Sequence, residues 1–302
     1  TANVIVLNSL KPIFADIEKG TLTIDPLEVE KKITPRTKAI IPVHYGGLPC
    51  DMDPLEAIAE NHGLSIIEDA AHALETKYKG RKVGNLGHIT SFSFYATKNI
   101  TTGEGGMVTL NDDALAEKIR VFRLHGLSRD AWKRYGKTGY AHWKLEAPGF
   151  KYNMADINAS IGIHQIKKAD RFLRIRREYS ELYDEAFKNI DEIETLVIKD
   201  YAESAYHIYV IALRLEKLTI SRDEFLNELQ SSGIGVAVHF VALHLQPYYA
   251  KTFDLKPEDF PIATDYSNRI LSLPLYPKMS IQEVERVIKA VIDLTVKFRK
   301  VG

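Results

Sequence analysis

The sequence predicts an α/β fold: a mainly parallel sheet covered by helices, followed by a smaller C-terminal α/β domain. Three observations carry this. Short β-rich runs alternate with amphipathic helical stretches through the first half of the 302 residues. A polar, chemistry-bearing residue directly follows one of those runs (Asp69) and another lies shortly after a second (Lys98). A long helical stretch then separates this half from a second mixed tail.

The runs are taken in order. Val4–Leu7 and Pro12–Ile17 read as strands, 26–33 as a helix, Ala39–Val43 as a strand, and 54–61 as a helix. Ser65–Glu68, Ile89–Phe94 and Met107–Leu110 complete the strands of the first half. From Asn153 to about Asn189 the pattern is helical. Its basic residues Lys167, Lys168, Arg171, Arg174, Arg176 and Arg177 read as a solvated face. A strand (His207–Leu213), a helix (Arg222–Ser231), a strand (Gly235–Phe240) and a closing helix (Ile281–Lys300) follow. The expected division is a large domain over 1–190, including the connecting helix, and a small one over 191–302.

Composition narrows the function classes. The 40 basic and 40 acidic residues cancel, so no overall field draws the chain to nucleic acid or an anionic membrane. Any anionic ligand has to be held by local groups. Cys50 is the only cysteine, which excludes an intrachain disulfide and a multi-cysteine metal site. No apolar run approaches the roughly twenty residues that span a bilayer, and no basic-then-apolar leader opens the chain. The cytoplasm is the expected compartment. Because the chain opens at Thr1 and runs almost at once into Val4-Ile-Val-Leu7, natural sequence is expected upstream.

The most informative segment runs from Ser91 to Gly106 and contains Lys98 between an aromatic-apolar strand and a glycine-rich turn. A lysine there is partly desolvated yet reachable, and burial favours the neutral amine that attacks a carbonyl. By position alone a surface lysine in a loop is the better explanation, since 40 residues here are Lys or Arg. Asp69 ends the run Ser65-Ile-Ile-Glu68, where parallel sheets place their sites, and His72 follows three residues later. A carboxylate in that place suits the pyridine nitrogen of pyridoxal phosphate, whose protonated ring is an electron sink. Two other readings compete: half a metal site, which lacks ligands, and an Asp capping the next helix with His72 packed beside it. The turn Gly103-Glu-Gly-Gly106 lacks the Gly-Lys-Ser/Thr ending of a nucleotide-binding loop, so it reads as a place where backbone passes close to a ligand or the next strand.

Taken together, the segments Thr34 to Gly46, Glu68 to His72, Ser91 to Gly106, His125-Gly126, Gly149 to Met154 and Ser272 to Leu275 resemble the DegT/DnrJ/StrS-type sugar aminotransferases in order and spacing. The resemblance covers essentially the whole chain. Residues 128–135 and 148–153 look most like the branch that aminates C4 of UDP-4-keto sugars, the UDP-4-amino-4-deoxy-arabinose synthase type.

The resemblance implies a pyridoxal-phosphate fold of type I and a set of roles. Lys98 is then the Schiff-base lysine and the base that moves the substrate proton. Asp69 pairs with the pyridine nitrogen, His72 lies near the phenolic oxygen, and Ser93 donates to the phosphate. Asn153 corresponds to a residue that reaches the phosphate from a neighbouring subunit, which implies a homodimer with shared sites. His239 corresponds to a residue at the substrate mouth. Arg129, Lys133 and Arg134 are candidates for the diphosphate of a nucleotide-linked keto sugar, with glutamate as amino donor and cell-surface polysaccharide or lipopolysaccharide as the destination. No metal is expected. Glu75 departs from the glycine usual in relatives, which implies an altered turn after His72; the segment carrying a phosphate-binding turn and a stacking aromatic in relatives precedes the equivalent of Thr1. Two rivals remain: a non-catalytic protein of this fold, and a dehydratase of this family, whose relatives carry His in place of Lys98.

Overall fold

The computed structural model describes residues 1–128 and 144–300. The first half comprises α1 (Ala2–Leu7), α2 (Pro26–Lys32), β1 (Ala39–Ile40), α3 (Met52–His62), β2 (Ser65–Asp69), β3 (Lys77–Tyr78), β4 (Arg81–Lys82), β5 (Ile89–Ser93), β6 (Gly106–Thr109) and α4 (Asp113–Phe122). Then come α5 (Asp156–Ile166), α6 (Ala169–Phe187), β7 (Ile193–Thr195), β8 (Ala202–Glu203), β9 (Tyr209–Leu213), α7 (Arg222–Ser231), α8 (Pro247–Phe253), α9 (Pro261–Arg269), β10 (Ile270–Leu273) and α10 (Ile281–Lys297).

The site-bearing sheet has the order β1-β2-β5-β6, with β1, β2 and β5 parallel and β6 antiparallel to β5. Strands of this kind are buried on both faces and need covering. Helix α3 supplies one cover, packing Met52, Leu55, Ile58 and Ala59 against Ile40, Ile66 and Ala70. Its end is set by Gly63, whose φ of 62° is the left-handed conformation that glycine adopts without penalty. Helix α2 starts where Asp25 accepts the Leu27 N–H, with Pro26 in the first turn.

The second core gathers Tyr179, Tyr183 and Phe187 of α6, Ile211 and Leu213 of β9, Leu271 of β10, Phe225 and Leu229 of α7, and Val284, Val287 and Val291 of α10. Its sheet, β10-β9-β7, is antiparallel. The alternation of apolar residues around α7 and α10, each opened by a Ser/Glu capping box, is what buries one face of both helices. The two halves also share a sheet, because β8 pairs with β3.

Several local readings are corrected. Val4–Leu7 is helical, within α1, although its β-branched run suggests a strand; Asn3 accepts a hydrogen bond from Tyr249 and Asn8 closes the turn on the Val4 carbonyl. Tertiary partners outweigh propensity there. The 12–17 segment makes only the bridge Ile17 to Ile24. Its Asp16 instead accepts the backbone N–H groups of Ile262 and Ala263 at 2.9 Å each, capping α9. The 235–240 segment is reduced to the bridge Ala237 to Ser272. Arg176 is no part of a solvated face: it is 2% exposed and paired with Glu75 at 2.8 Å. Glu75 therefore serves that buried pair, which its reading as a turn substitution does not capture.

Candidate active site

The carboxyl ends of β2 and β5 bring the chemistry together. Asp69 is the last residue of β2 and its backbone is held by Pro42 and His44. One carboxylate oxygen accepts the Ala71 N–H at 3.0 Å, fixing the turn that carries His72; the other accepts the Thr1 hydroxyl. No helix directly follows Asp69 for it to cap; its Oδ1 closes a turn instead.

Beneath Asp69 lies a fully buried pair. His44 accepts the Cys50 N–H on Nδ1, so Nε2 carries the proton and donates to Glu68 at 2.9 Å. Glu68 also accepts from Thr90 at 2.6 Å, linking β2 to β5. Every functional atom of this cluster has a partner, and it acts as a floor.

His72 sits above that floor. Its Nδ1 accepts the Gly46 N–H at 3.3 Å, which leaves Nε2 as an N–H donor. Burial, then the neighbouring Lys98 charge, pushes its pKa down to about 4, with Asp69 pulling the other way. At neutral pH it is therefore an uncharged donor. Its ring lies 4.1 Å from that of His207 and 6.1 Å from Phe240.

Lys98 follows β5 in a turn closed by its N–H on the Tyr95 carbonyl. It is half-buried, and burial lowers its pKa while Asp69 raises it. The electrostatic reach between Lys98, Asp69, His72 and His239 places them in one neighbourhood. His239 is held by Ser272 at 2.9 Å, and Tyr45 donates to its carbonyl oxygen. Burial, then Lys98, lowers the His239 pKa.

Ser93 ends β5 opposite Gly106, and its oxygen accepts only a long 3.4 Å contact from Tyr95, leaving its proton to give. The glycines are explained by crowding. A Cβ at Gly106 would stand 2.8 Å from the Phe92 carbonyl oxygen, and one at Gly105 would meet Thr102 at 2.2 Å. Asn153 precedes α5 and has a buried Oδ1 without a hydrogen-bond partner. Arg129, Lys133 and Arg134 lie outside the described residues.

Two polar residues escaped the sequence reading. Asn99, next to Lys98, donates to Glu75 and faces His207 at 2.6 Å. The His207 ring lies against that of His72, tilted by 35°. The signal available was a polar pair in otherwise apolar surroundings, which a single sequence does not distinguish from a strand end.

The donor set fits pyridoxal phosphate: a carboxylate for a pyridinium, a neutral N–H donor for a phenolate, and a partly desolvated amine for an aldehyde. Among the described residues, no cluster of three or more His, Cys, Asp or Glu could hold a metal ion, and no helix is long and apolar enough to cross a membrane.

Comparison with known proteins gives the same direction. The family model described as DegT/DnrJ/EryC1/StrS aminotransferase matches residues 1–292. The spore coat polysaccharide biosynthesis protein SpsC of Bacillus subtilis is 48% identical over 295 residues, covering 97% of this chain and 76% of that protein. An uncharacterized protein of Methanocaldococcus jannaschii is 52% identical, covering 96% of this chain and 75% of that one. Among solved structures, Helicobacter pylori PseC, an aminotransferase of pseudaminic acid biosynthesis, superimposes with a TM-score of 0.91 at 30% identity, covering 99% of this chain and 77% of that one. S. venezuelae DesV gives 0.88 at 30% identity, covering 100% and 76%. The chain thus belongs to the DegT/DnrJ/EryC1/StrS aminotransferase family, has the type I fold of its sugar-aminotransferase neighbours, and takes pyridoxal phosphate as its cofactor.

Proposed function

We propose that this chain transfers an amino group, from glutamate, to a nucleotide-linked keto sugar, of the UDP-4-keto class aminated at C4, for cell-surface polysaccharide or lipopolysaccharide synthesis. The observation that carries the transfer chemistry is the gathering of Asp69, His72 and Lys98 at the ends of neighbouring parallel strands, with His72 held as a neutral donor. The spore coat relative and the pseudaminic acid neighbour support a sugar acceptor. The branch and the nucleotide rest on the resemblance of residues 128–135 and 148–153.

Bound pyridoxal phosphate supplies the electron sink for the carbon that loses its proton. Asp69 keeps a proton on the ring nitrogen through a charge-assisted hydrogen bond. His72 donates its Nε2 proton to the phenolic oxygen. Lys98 holds the cofactor covalently and, when its amine is free, removes the donor's α-proton; burial favours the neutral base that this needs. Ser93 would donate a hydrogen bond from its hydroxyl to the phosphate. His239, Arg129, Lys133 and Arg134 serve the acceptor sugar and its diphosphate.

A second copy of the chain completes the site in this proposal. Helix α5 buries none of its residues, and Ile157, Ile161, Ile163 and Ile166 are exposed on it. The stacked rings of Phe150 and Tyr152 and the unspent Asn153 Oδ1 lie just before it. An apolar surface of this kind marks an interface. The 1–190 part then carries the cofactor, while 191–302 closes over it with His207 and His239.

Borohydride reduction of the cofactor-loaded protein followed by peptide mapping tests the covalent assignment. A phosphopyridoxyl group on Lys98 is expected, and one on any other lysine overturns it. Lys98→Ala is expected to lower transfer from glutamate by at least roughly a thousandfold. Assay against UDP-4-keto sugars tests the acceptor; turnover confined to keto acids would sink the sugar reading.

A further inference from the structure

Arg176 and Glu75 form an ion pair that is almost wholly withdrawn from water, 2% and 4% exposed. Such a pair is poor evidence for stability, because desolvating two charges cancels much of their attraction. Arg176 even leaves Nη1 buried without a hydrogen-bond partner among the described residues. What the pair does fix is orientation. Arg176 Nη2 takes Glu75 Oε1 at 2.8 Å and its Nε takes the Ala205 carbonyl at 3.1 Å. Glu75 Oε2 then accepts Asn99 Nδ2 at 2.6 Å, and the Ala205 carbonyl lies 3.4 Å from the same amide nitrogen.

Both groups facing that nitrogen are acceptors, so the Asn99 amide has one permitted orientation. Flipping it would set its oxygen against a carboxylate. The amide oxygen accordingly faces His207 Nδ1 at 2.6 Å, and an oxygen in that place requires the proton on Nδ1. Nε2 of His207 has no protein partner among the described residues. We propose that Glu75, Asn99 and Arg176 are positioning residues that lock His207 in its Nδ1–H tautomer, presenting a bare Nε2 acceptor in the corner formed with His72 and Lys98.

Burial first, then His72 where it is protonated and the Lys98 charge, push the pKa of this imidazole down to about 2, so it is uncharged at neutral pH. The adjacent, tilted rings of His72 and His207 therefore offer two different edges. His72 presents Nε2–H as a donor, and His207 presents Nε2 as an acceptor. The acceptor edge suits a hydroxyl of a sugar ring. That last step rests on the proposed function, whereas the tautomer lock does not.

The test is long-range proton–nitrogen NMR on the full chain labelled with ¹⁵N at histidine, with His207 assigned by His207→Gln. At neutral pH the wild-type His207 is expected to show a protonated Nδ1 and an unprotonated Nε2. Asn99→Ala keeps the Glu75–Arg176 pair and removes only the acceptor, so the Nε2–H form is expected to appear. Glu75→Gln frees the Asn99 amide to turn, so both tautomers are expected, together with a lower unfolding temperature from the unpaired Arg176. A merely structural role would lower that temperature without moving the tautomer. An Nε2–H signal in the wild type, or an unchanged Nδ1–H signal in Asn99→Ala, overturns the proposal. Adding pyridoxal phosphate to the same samples separates the two readings: failure to form an adduct on Lys98 counts against the proposed function and leaves the tautomer result standing.

Discussion

The C-terminal core and the α4–α5 flank are built from similar amounts of apolar sequence and use it differently. Helix α10 buries Val284, Val287, Val291 and Leu294 on one face against α6, α7 and the β9–β10 strands. Helices α4 and α5 bury no residue at all. The inner side of α5 is instead polar or small: Asn158 donates to the Thr102 and Glu104 carbonyls at 2.6 and 3.0 Å, and Gly162 packs on Thr102. Its isoleucines point elsewhere. One region spends its apolar residues on its own stability, and the other holds the glycine-rich turn in place while leaving an apolar surface exposed, the surface assigned above by proposal to a second copy.

The sharpest way to break this contrast is a core truncation. Phe225→Ala, at a fully buried position of α7, is expected to cost about 3–5 kcal/mol. Chemical denaturation measures it, and a cost below about 1 kcal/mol would mean that the C-terminal core is not the stabilising region. The next largest effect belongs to the site. His72 is neutral in the folded state, with its pKa down at about 4 against an ordinary 6.5. Between those values the unfolded chain binds more protons, so stability is fully present above about pH 6.5 and is lost as pH falls towards 4. Replacing His72 by Gln is expected to remove about 3 kcal/mol of that acid sensitivity, read from unfolding midpoints across pH. His207 adds acid sensitivity of the same sign. An unchanged pH profile would contradict a buried neutral His72.

Ser280→Ala removes the capping box of α10 and is expected to cost about 1 kcal/mol, measured in the same denaturation series. The smallest effect on folding is expected on the flank. Ile157→Asp should leave the stability of a single chain within about 0.5 kcal/mol. Light scattering should nevertheless show a dimer converted to a monomer, and an intact dimer would place the interface elsewhere.

The parallel strands and their covering helices were legible because short β-rich apolar runs and amphipathic helices repeating every 3.6 residues are local patterns. Asp69 and Lys98 were legible because strand ends are where such sheets expose polar groups, and family spacing joined them. Val4–Leu7 was misread because a β-branched run is ambiguous until its neighbours are known. Arg176 was misread for a related reason. Among Lys167, Lys168, Arg171, Arg174 and Arg177 it looks like one more solvated cation, yet its partner Glu75 lies 101 residues away in sequence.

By itself, then, the sequence determined the layered fold class, the placing of Asp69 and Lys98 at or just beyond strand ends, and the absence of any bulk charge that would recruit nucleic acid. These are properties of local pattern and residue type. Only the tertiary structure decided that Glu75 faces Arg176 rather than a turn, that Asn99 holds His207, and that His72 keeps a proton on Nε2. Those outcomes depend on which acceptor meets which donor in a desolvated space, and contacts between distant segments leave no periodic trace in the chain.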